Sequence, residues 1–247
     1  MICVSIYAST QKKAMQDIRR VFNRCDLLEL RMDEIADGNL VELINCIRGL
    51  SPASPVLVTY RKSRPSELGR ITRMNESTRR MEDDRKRWEI LREAVHLETA
   101  YVDVELEDDD EKIASLKMLI ARKGERTKLV CSHHNYMKTP SLAHLKNLYQ
   151  ACVAKGADVI KIVPYARVAE DNIRIFQFLA WASKQKKEVV AFCMGPKGRL
   201  SRVGALLFGS AFSFAALDEK SSAAPGQIGV KDMEILKEIL FHEECKN

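Results

Sequence analysis

DVIKIVPYARVAEDNIRIFQFLAWASK, residues 158–184, holds one complete repeat of the pattern that organises this chain. Its first six residues, DVIKIV, are β-branched at Val159, Ile160, Ile162 and Val163. That composition favours an extended run whose neighbours point to opposite faces. From Asp171 to Lys184 the period changes, and Ile173, Phe176, Phe178, Leu179 and Ala180 are expected to form the apolar face of a helix. A strand that is apolar on both faces belongs in a buried parallel sheet covered by helices.

The same alternation extends in both directions. Strand-like runs are ICVSIYA (2–8), LLELR (27–31), VLVTYR (56–61), YVDVEL (101–106), TKLVCSHH (127–134), DVIKIV (158–163), EVVAFCM (188–194) and AFSFAAL (211–217). Helix-like segments lie between them, such as Ser141 to Lys155 after a Thr-Pro start. Eight βα units predict the α/β class and a (β/α)8 TIM barrel rather than an open doubly wound sheet. An open sheet would usually carry a glycine-rich first βα turn; here that turn is ASTQKK (8–13), so no dinucleotide site is expected. No Gly/Ser-rich or Pro-rich stretch interrupts the 247 residues, which predicts one domain over 1–247.

Composition narrows the function classes. With 46% apolar and 30% charged residues the chain resembles a soluble globular protein, and no apolar run approaches the ~20 residues of a membrane span. The start, MICVSIYA, lacks a basic leader and a cleavage site, so the cytoplasm is the expected compartment. The seven cysteines are scattered with no C-x-x-C pair and no histidine at metal-ligand spacing, and read as reduced, mostly buried thiols. The densest basic stretch, RRMEDDRKRWEILRE (79–93), interleaves acids and bases as a solvated, ion-paired helix does. No nucleic-acid partner is expected, because no aromatic platform accompanies it.

In a barrel the chemistry sits where strands end. Glu29 and Arg31, Arg61, Asp103 and Glu105, His133 and His134, and Lys161 all stand at or near such ends. One such residue is as often ion-paired as functional; five strands out of eight are not explained that way. Lys161 is the sharpest case. Its neighbours Ile160 and Ile162 point away from it, so it faces either the lumen or the helices. Burial lowers a lysine's pKa and frees its amine as a nucleophile, and neighbouring guanidinium groups would lower it further. His134 ends the preceding strand and suits a proton carrier, since imidazole titrates near neutral pH. His133 is expected to face the other way, and His96, His144 and His242 lie in or near helices and carry no signal.

These segments resemble the type I 3-dehydroquinate dehydratases. VSIYA, LLELRMD, VLVTYR, VELE, SHHNYMKTPS, GADVIKIV, CMGPKGRLSR, FGSAFSFA and APGQI occur in that family's order and spacing over nearly the whole chain. The resemblance implies a (β/α)8 barrel, no metal and no organic cofactor. It also implies dehydration of 3-dehydroquinate to 3-dehydroshikimate through a Schiff base on Lys161, with His134 as general acid/base. Glu29, Arg31 and Arg61 match substrate-gripping positions, and Arg202 the arginine that receives the carboxylate. Ser5 and Gln227 match further binding positions, and Met194 and Phe214 the pocket's apolar walls. Two departures stand out. The assisting acid expected four residues after Arg61 is Pro65, leaving Glu67 as the nearest acid, and Ala223 occupies the serine position before Pro-Gly-Gln, with Ser222 one step earlier. Residues 218–227 are expected to close over the barrel mouth. The early first strand resembles members fused to other shikimate-pathway enzymes, so a fused chain or a homodimer is an open expectation. The other readings are a class I Schiff-base aldolase and a non-catalytic, metabolite-binding barrel; turnover of 3-dehydroquinate separates both from the dehydratase.

Overall fold

The computed structural model describes residues 1–62, 73–218 and 226–241, with the backbone alone for 73–80. Eight strands alternate with helices: β1 Ile2–Ile6, β2 Leu27–Arg31, β3 Val56–Thr59, β4 Tyr101–Glu105, β5 Lys128–Asn135, β6 Val159–Pro164, β7 Glu188–Ala191 and β8 Ser213–Ala215. The helices that follow them are α1 Gln11–Val21, α2 Leu40–Leu50, α3 Arg73–His96, α4 Asp110–Arg122, α5 Leu142–Ala154, α6 Asp171–Ala182, α7 Arg199–Gly204 and α8 Val230–Phe241. Local chemistry starts several of them. Thr10, Asn39, Asp109 and Ser141 each accept the backbone N–H three residues on, satisfying donors that a helix N-terminus leaves open.

All strand pairs are parallel, in the order β7-β6-β5-β4-β3-β2-β1-β8. The remaining seam, between β7 and the segment entering β8, is drawn together by Ala211 N donating to Val189 O at 2.8 Å. The sheet thus forms the expected (β/α)8 barrel. Its outward-facing apolar side chains pack under the helices in one core that includes Val4, Leu28, Val58, Val102, Cys131 and Ile160. Cys3, Cys25, Cys46, Cys131, Cys152 and Cys193 are free thiols, four of them buried. Among the described residues no helix is long and apolar enough to cross a membrane.

Several boundaries and faces differ from expectation. β3 stops at Thr59, so Arg61 stands in the loop beyond the strand. β7 stops at Ala191, and Met194 keeps only an isolated parallel bridge to Tyr165. In α6 the buried face is Asp171, Asn172, Ile175, Phe178, Leu179 and Ala182, whereas Ile173 is 55% exposed. The polar Asp171 and Asn172 point inward because their side chains fasten neighbouring loops, which a hydropathy pattern does not register. The 79–93 stretch is helical, but not solvated throughout: Arg87 is fully buried against Asp108.

Candidate active site

The lumen at the carboxyl end of the strands is lined by a belt of polar side chains rather than apolar ones. Strand alternation turns Ser5, Glu29, Thr59, Asp103, Ser132 and Lys161 inward, and register aligns Ser5 with Glu29, Thr59 with Asp103 and Ser132 with Lys161. Lys161 Nζ stands at the centre, 2.9 Å from Asp103 Oδ2 and 3.4 Å from Glu29 Oε1, and 4.4 Å above the Phe214 ring. Glu29 also accepts Ser5 Oγ at 2.5 Å and Thr59 Oγ1 at 2.9 Å, while Asp103 accepts Ser132 Oγ at 2.6 Å. Each buried carboxylate is therefore hydrogen-bonded and paired, as burial of charge requires. Burial pushes both carboxyls up. Lys161 and Arg31 at Glu29, and Arg61 and Lys161 at Asp103, outweigh it and hold both below the usual range. Both are carboxylates at neutral pH.

The charge around Lys161 thus differs from the sequence expectation. Its immediate neighbours are two carboxylates, not guanidinium groups. The cations cluster one step away, around the histidine. Arg61 donates to Ser132 Oγ at 2.8 Å, reaches Asp103 Oδ2 at 3.1 Å and Glu105 Oε1 at 3.3 Å, and lies 3.4 Å from His134 Nε2. Burial, then Arg61, Lys161 and Arg31, hold His134 well below the ordinary imidazole range, so it is the neutral base at pH 7. Its Nδ1 is buried with no hydrogen-bond partner among the described residues. His133 faces outward as expected, with Nδ1 2.5 Å from Glu107.

On the opposite side, Arg202 projects from α7 and is 1% exposed, its guanidinium 4.7 Å over the Phe192 ring. Its Nε has no partner among the described residues, and no acid lies close enough to pair with it there. Burial lowers it to about 10. A buried guanidinium with no ion pair among the described residues calls for an anion. α7 and the turn leading into it are fastened by two residues: Asn172 Nδ2 donates to Lys197 O at 2.7 Å, Asn172 Oδ1 accepts Ser201 N at 3.0 Å, and Ser213 Oγ donates to Arg202 O at 2.5 Å. Gly226 passes so close to Gly195 that a Cβ would lie 2.2 Å from its carbonyl oxygen, which sets the backbone just before Gln227 beside the loop leading to α7. Arg31 instead spends its fork on Asp33 and Glu34, with the Tyr7 ring 5.7 Å away. Met194 is buried.

Residues 2–244 match the family model described as type I 3-dehydroquinase. The chain belongs to that family. It is 34% identical to a 3-dehydroquinate dehydratase of Pyrococcus abyssi over 97% of this chain and 98% of that one. It is 32% identical to a bifunctional 3-dehydroquinate dehydratase/shikimate dehydrogenase of Arabidopsis thaliana, matching 94% of this chain and 36% of that protein. In three dimensions it is similar to the type I 3-dehydroquinate dehydratase of Clostridium difficile, solved with covalently modified comenic acid. That match has a TM-score of 0.78 at 23% identity, over 97% of this chain and 91% of that one. The type I 3-dehydroquinases are carbon–oxygen lyases that dehydrate 3-dehydroquinate through a lysine Schiff base in aromatic amino-acid biosynthesis, and membership sets aside the aldolase and the non-catalytic barrel.

Within this type I 3-dehydroquinase, the structure brings together Lys161, His134, Ser5, Glu29, Arg61 and Phe214 through the contacts above. Pro65, Glu67, Ser222 and Ala223, and most of the 218–227 segment, lie outside the described residues. Asp103 stands among the strand-end polar residues of the sequence without an assigned role, and Ser132 and Thr59 are not among them, although all three bind the lysine or its partners directly. Asp103 was legible as an acid inside an apolar strand; Ser132 and Thr59 are ordinary strand residues, visible only once the register is known. Among the described residues no group of three or more His, Cys, Asp or Glu is arranged to hold a metal.

Proposed function

We propose that this barrel mouth carries out the family's dehydration with Lys161 as the imine-forming amine and His134 as the proton carrier. The observation that carries the assignment is the pairing of a 3% exposed lysine with a neutral histidine, linked through Asp103 and Arg61. Asp103 and Glu29 are the groups within reach to take a proton from the lysine. The free amine adds to the C3 carbonyl of 3-dehydroquinate, and loss of water gives an iminium. The iminium draws electrons from the C2–H bond, His134 takes that proton, and an enamine forms. His134 then returns the proton to the C1 hydroxyl, which leaves as water. Hydrolysis of the conjugated imine frees 3-dehydroshikimate and regenerates Lys161, so one molecule of water is lost overall.

Arg202 receives the substrate carboxylate, because a buried guanidinium with no ion partner among the described residues is stabilised by one. Ser5, Glu29, Arg31 and Arg61 hold the hydroxyl-bearing face, Met194 and Phe214 form the walls, and Gln227, with Ser222, completes the mouth. The same proposal covers a cytoplasmic, single-domain catalytic chain over 1–247, acting as a homodimer or joined to another shikimate-pathway enzyme. The bifunctional plant relative supports the second arrangement. The test is to incubate the purified chain with 3-dehydroquinate and follow absorbance of the conjugated product. Turnover that disappears in Lys161→Ala is expected; undiminished turnover in that variant contradicts the assignment.

A further inference from the structure

The helix α3 carries a basic stretch that the site described above does not use, and one of its cations is not at the surface. The Arg87 side chain is 1% exposed and the Asp108 carboxylate 0%. Arg87 Nη1 donates to Asp108 Oδ1 at 2.9 Å, Nη2 donates to Oδ2, and Nε donates to the backbone carbonyl of Tyr60 at 2.7 Å. Asp108 in turn accepts the Glu105 backbone N–H at 2.8 Å and pairs with Lys62 Nζ at 2.8 Å. Glu105 then accepts the Lys62 backbone N–H at 3.2 Å and one arm of Arg61 at 3.3 Å. Both chain neighbours of Arg61 are thus tied to the pair, and so is one of the acids on which its fork rests. A buried ion pair of this kind adds little net stability over well-packed apolar residues. What it does supply is fixed geometry, at a point where the chain has already left β3 and no ladder holds Arg61.

We propose that Arg87 and Asp108 are positioning residues that hold the Arg61 guanidinium against His134 and so keep the histidine a neutral base. The inference rests on the role given to His134 above. The charged groups around His134 are Arg61 from the loop after β3, Arg31 from β2 and Lys161 from β6, and the titratable ring next to it on its own strand, His133, faces outward. Asp103 and Glu105 of β4 are the ion partners of Arg61, and the Nη2 that meets Asp103 is also the one 3.4 Å from His134. Freed from Tyr60, Lys62 and Glu105, the Arg61 cation moves off the imidazole, and His134 takes up a proton at higher pH than in the native enzyme. The protonated ring cannot accept the C2 hydrogen.

The variants are Arg87→Met/Asp108→Leu, which leaves no lone buried charge, and Arg87→Lys, which keeps the charge but not the fork. Titration of the His134 ring by NMR, without substrate, is expected to move upward in both. The acidic limb of kcat/KM should move the same way, with kcat at pH 6 falling on the order of tenfold while borohydride trapping at Lys161 stays complete. In an Arg61→Ala background the Arg87 substitutions should add no further movement, because the effect passes through Arg61. Should the double variant not fold, Arg87→Lys alone decides. An unmoved His134 titration in a folded variant overturns the proposal, even if activity is lost. A moved titration with an unmoved kcat/KM limb instead overturns the proton-carrying role of His134.

Discussion

Lys161 is paired with two carboxylates, so in the proposed mechanism the step that frees its amine depends on Asp103 and Glu29, while the later proton transfers depend on His134. His134→Ala is therefore expected to form the imine, trappable by borohydride, yet lose ~10² to 10⁴-fold in turnover; His133→Ala, which removes only the outward pair with Glu107, should stay near wild type. Reversed losses would mean that the strand register is one residue off, since one residue's slip exchanges the two faces. The pH profile follows from charge. His134 is held below its ordinary range by burial and by Arg61, so the acidic limb of kcat/KM is expected below the usual imidazole titration, and Arg61→Ala should move it up. Arg202→Ala should act differently, raising KM by the loss of a charge-assisted pair worth roughly 1.5–3 kcal/mol, with imine chemistry intact once substrate is saturating.

At the scale of elements, α7 is too short to hold Arg202 in place by itself, and its position depends on Asn172 of α6 and Ser213 of β8. Asn172→Ala removes bonds to Lys197 O, Ala169 O and Ser201 N in a fully buried setting. A stability loss of roughly 1–3 kcal/mol by urea denaturation is expected, together with a KM increase resembling that of Arg202→Ala. A stability loss with unchanged KM would separate the clamp from the binding site. The same residues mark the limit of what sequence reveals. Strand order, barrel closure and the placement of Lys161 and His134 were legible because β-branched runs with inward polar residues leave a period-two trace. Asn172 was not legible, because an inward amide at a helix start looks like a polar surface residue until its loop partners are in place. Arg87 was hidden in the same way within an alternating charge run, where its acid partner lies beyond the next strand. Short strands misled the boundaries: β7 and β8 end early because the chain turns aside at Met194 and Ala216 into isolated bridges.

Across the whole molecule, the lumen places several ionisable groups where an apolar core would otherwise sit, and this couples folding to pH. Asp103 and Glu29 titrate below their ordinary values in the folded state, so their contribution is present above the unfolded carboxylate range and is lost as pH falls through their folded values. His134 acts in the same direction, because the unfolded chain takes up its proton near ~6.5 while the buried ring resists it. The urea midpoint is accordingly expected to fall from pH 7 to pH 5 and more steeply below pH ~4.5. A midpoint unchanged down to pH 4 would show that the belt is not closed as described. The central claim, that this belt exists to present one amine, is tested most directly by borohydride reduction in the presence of 3-dehydroquinate, followed by peptide mass mapping. A stable adduct at Lys161, formed in step with loss of activity and absent from Lys161→Ala, is the expected result; an adduct on Lys62 or Lys197, or activity that survives stoichiometric labelling of Lys161, would contradict it.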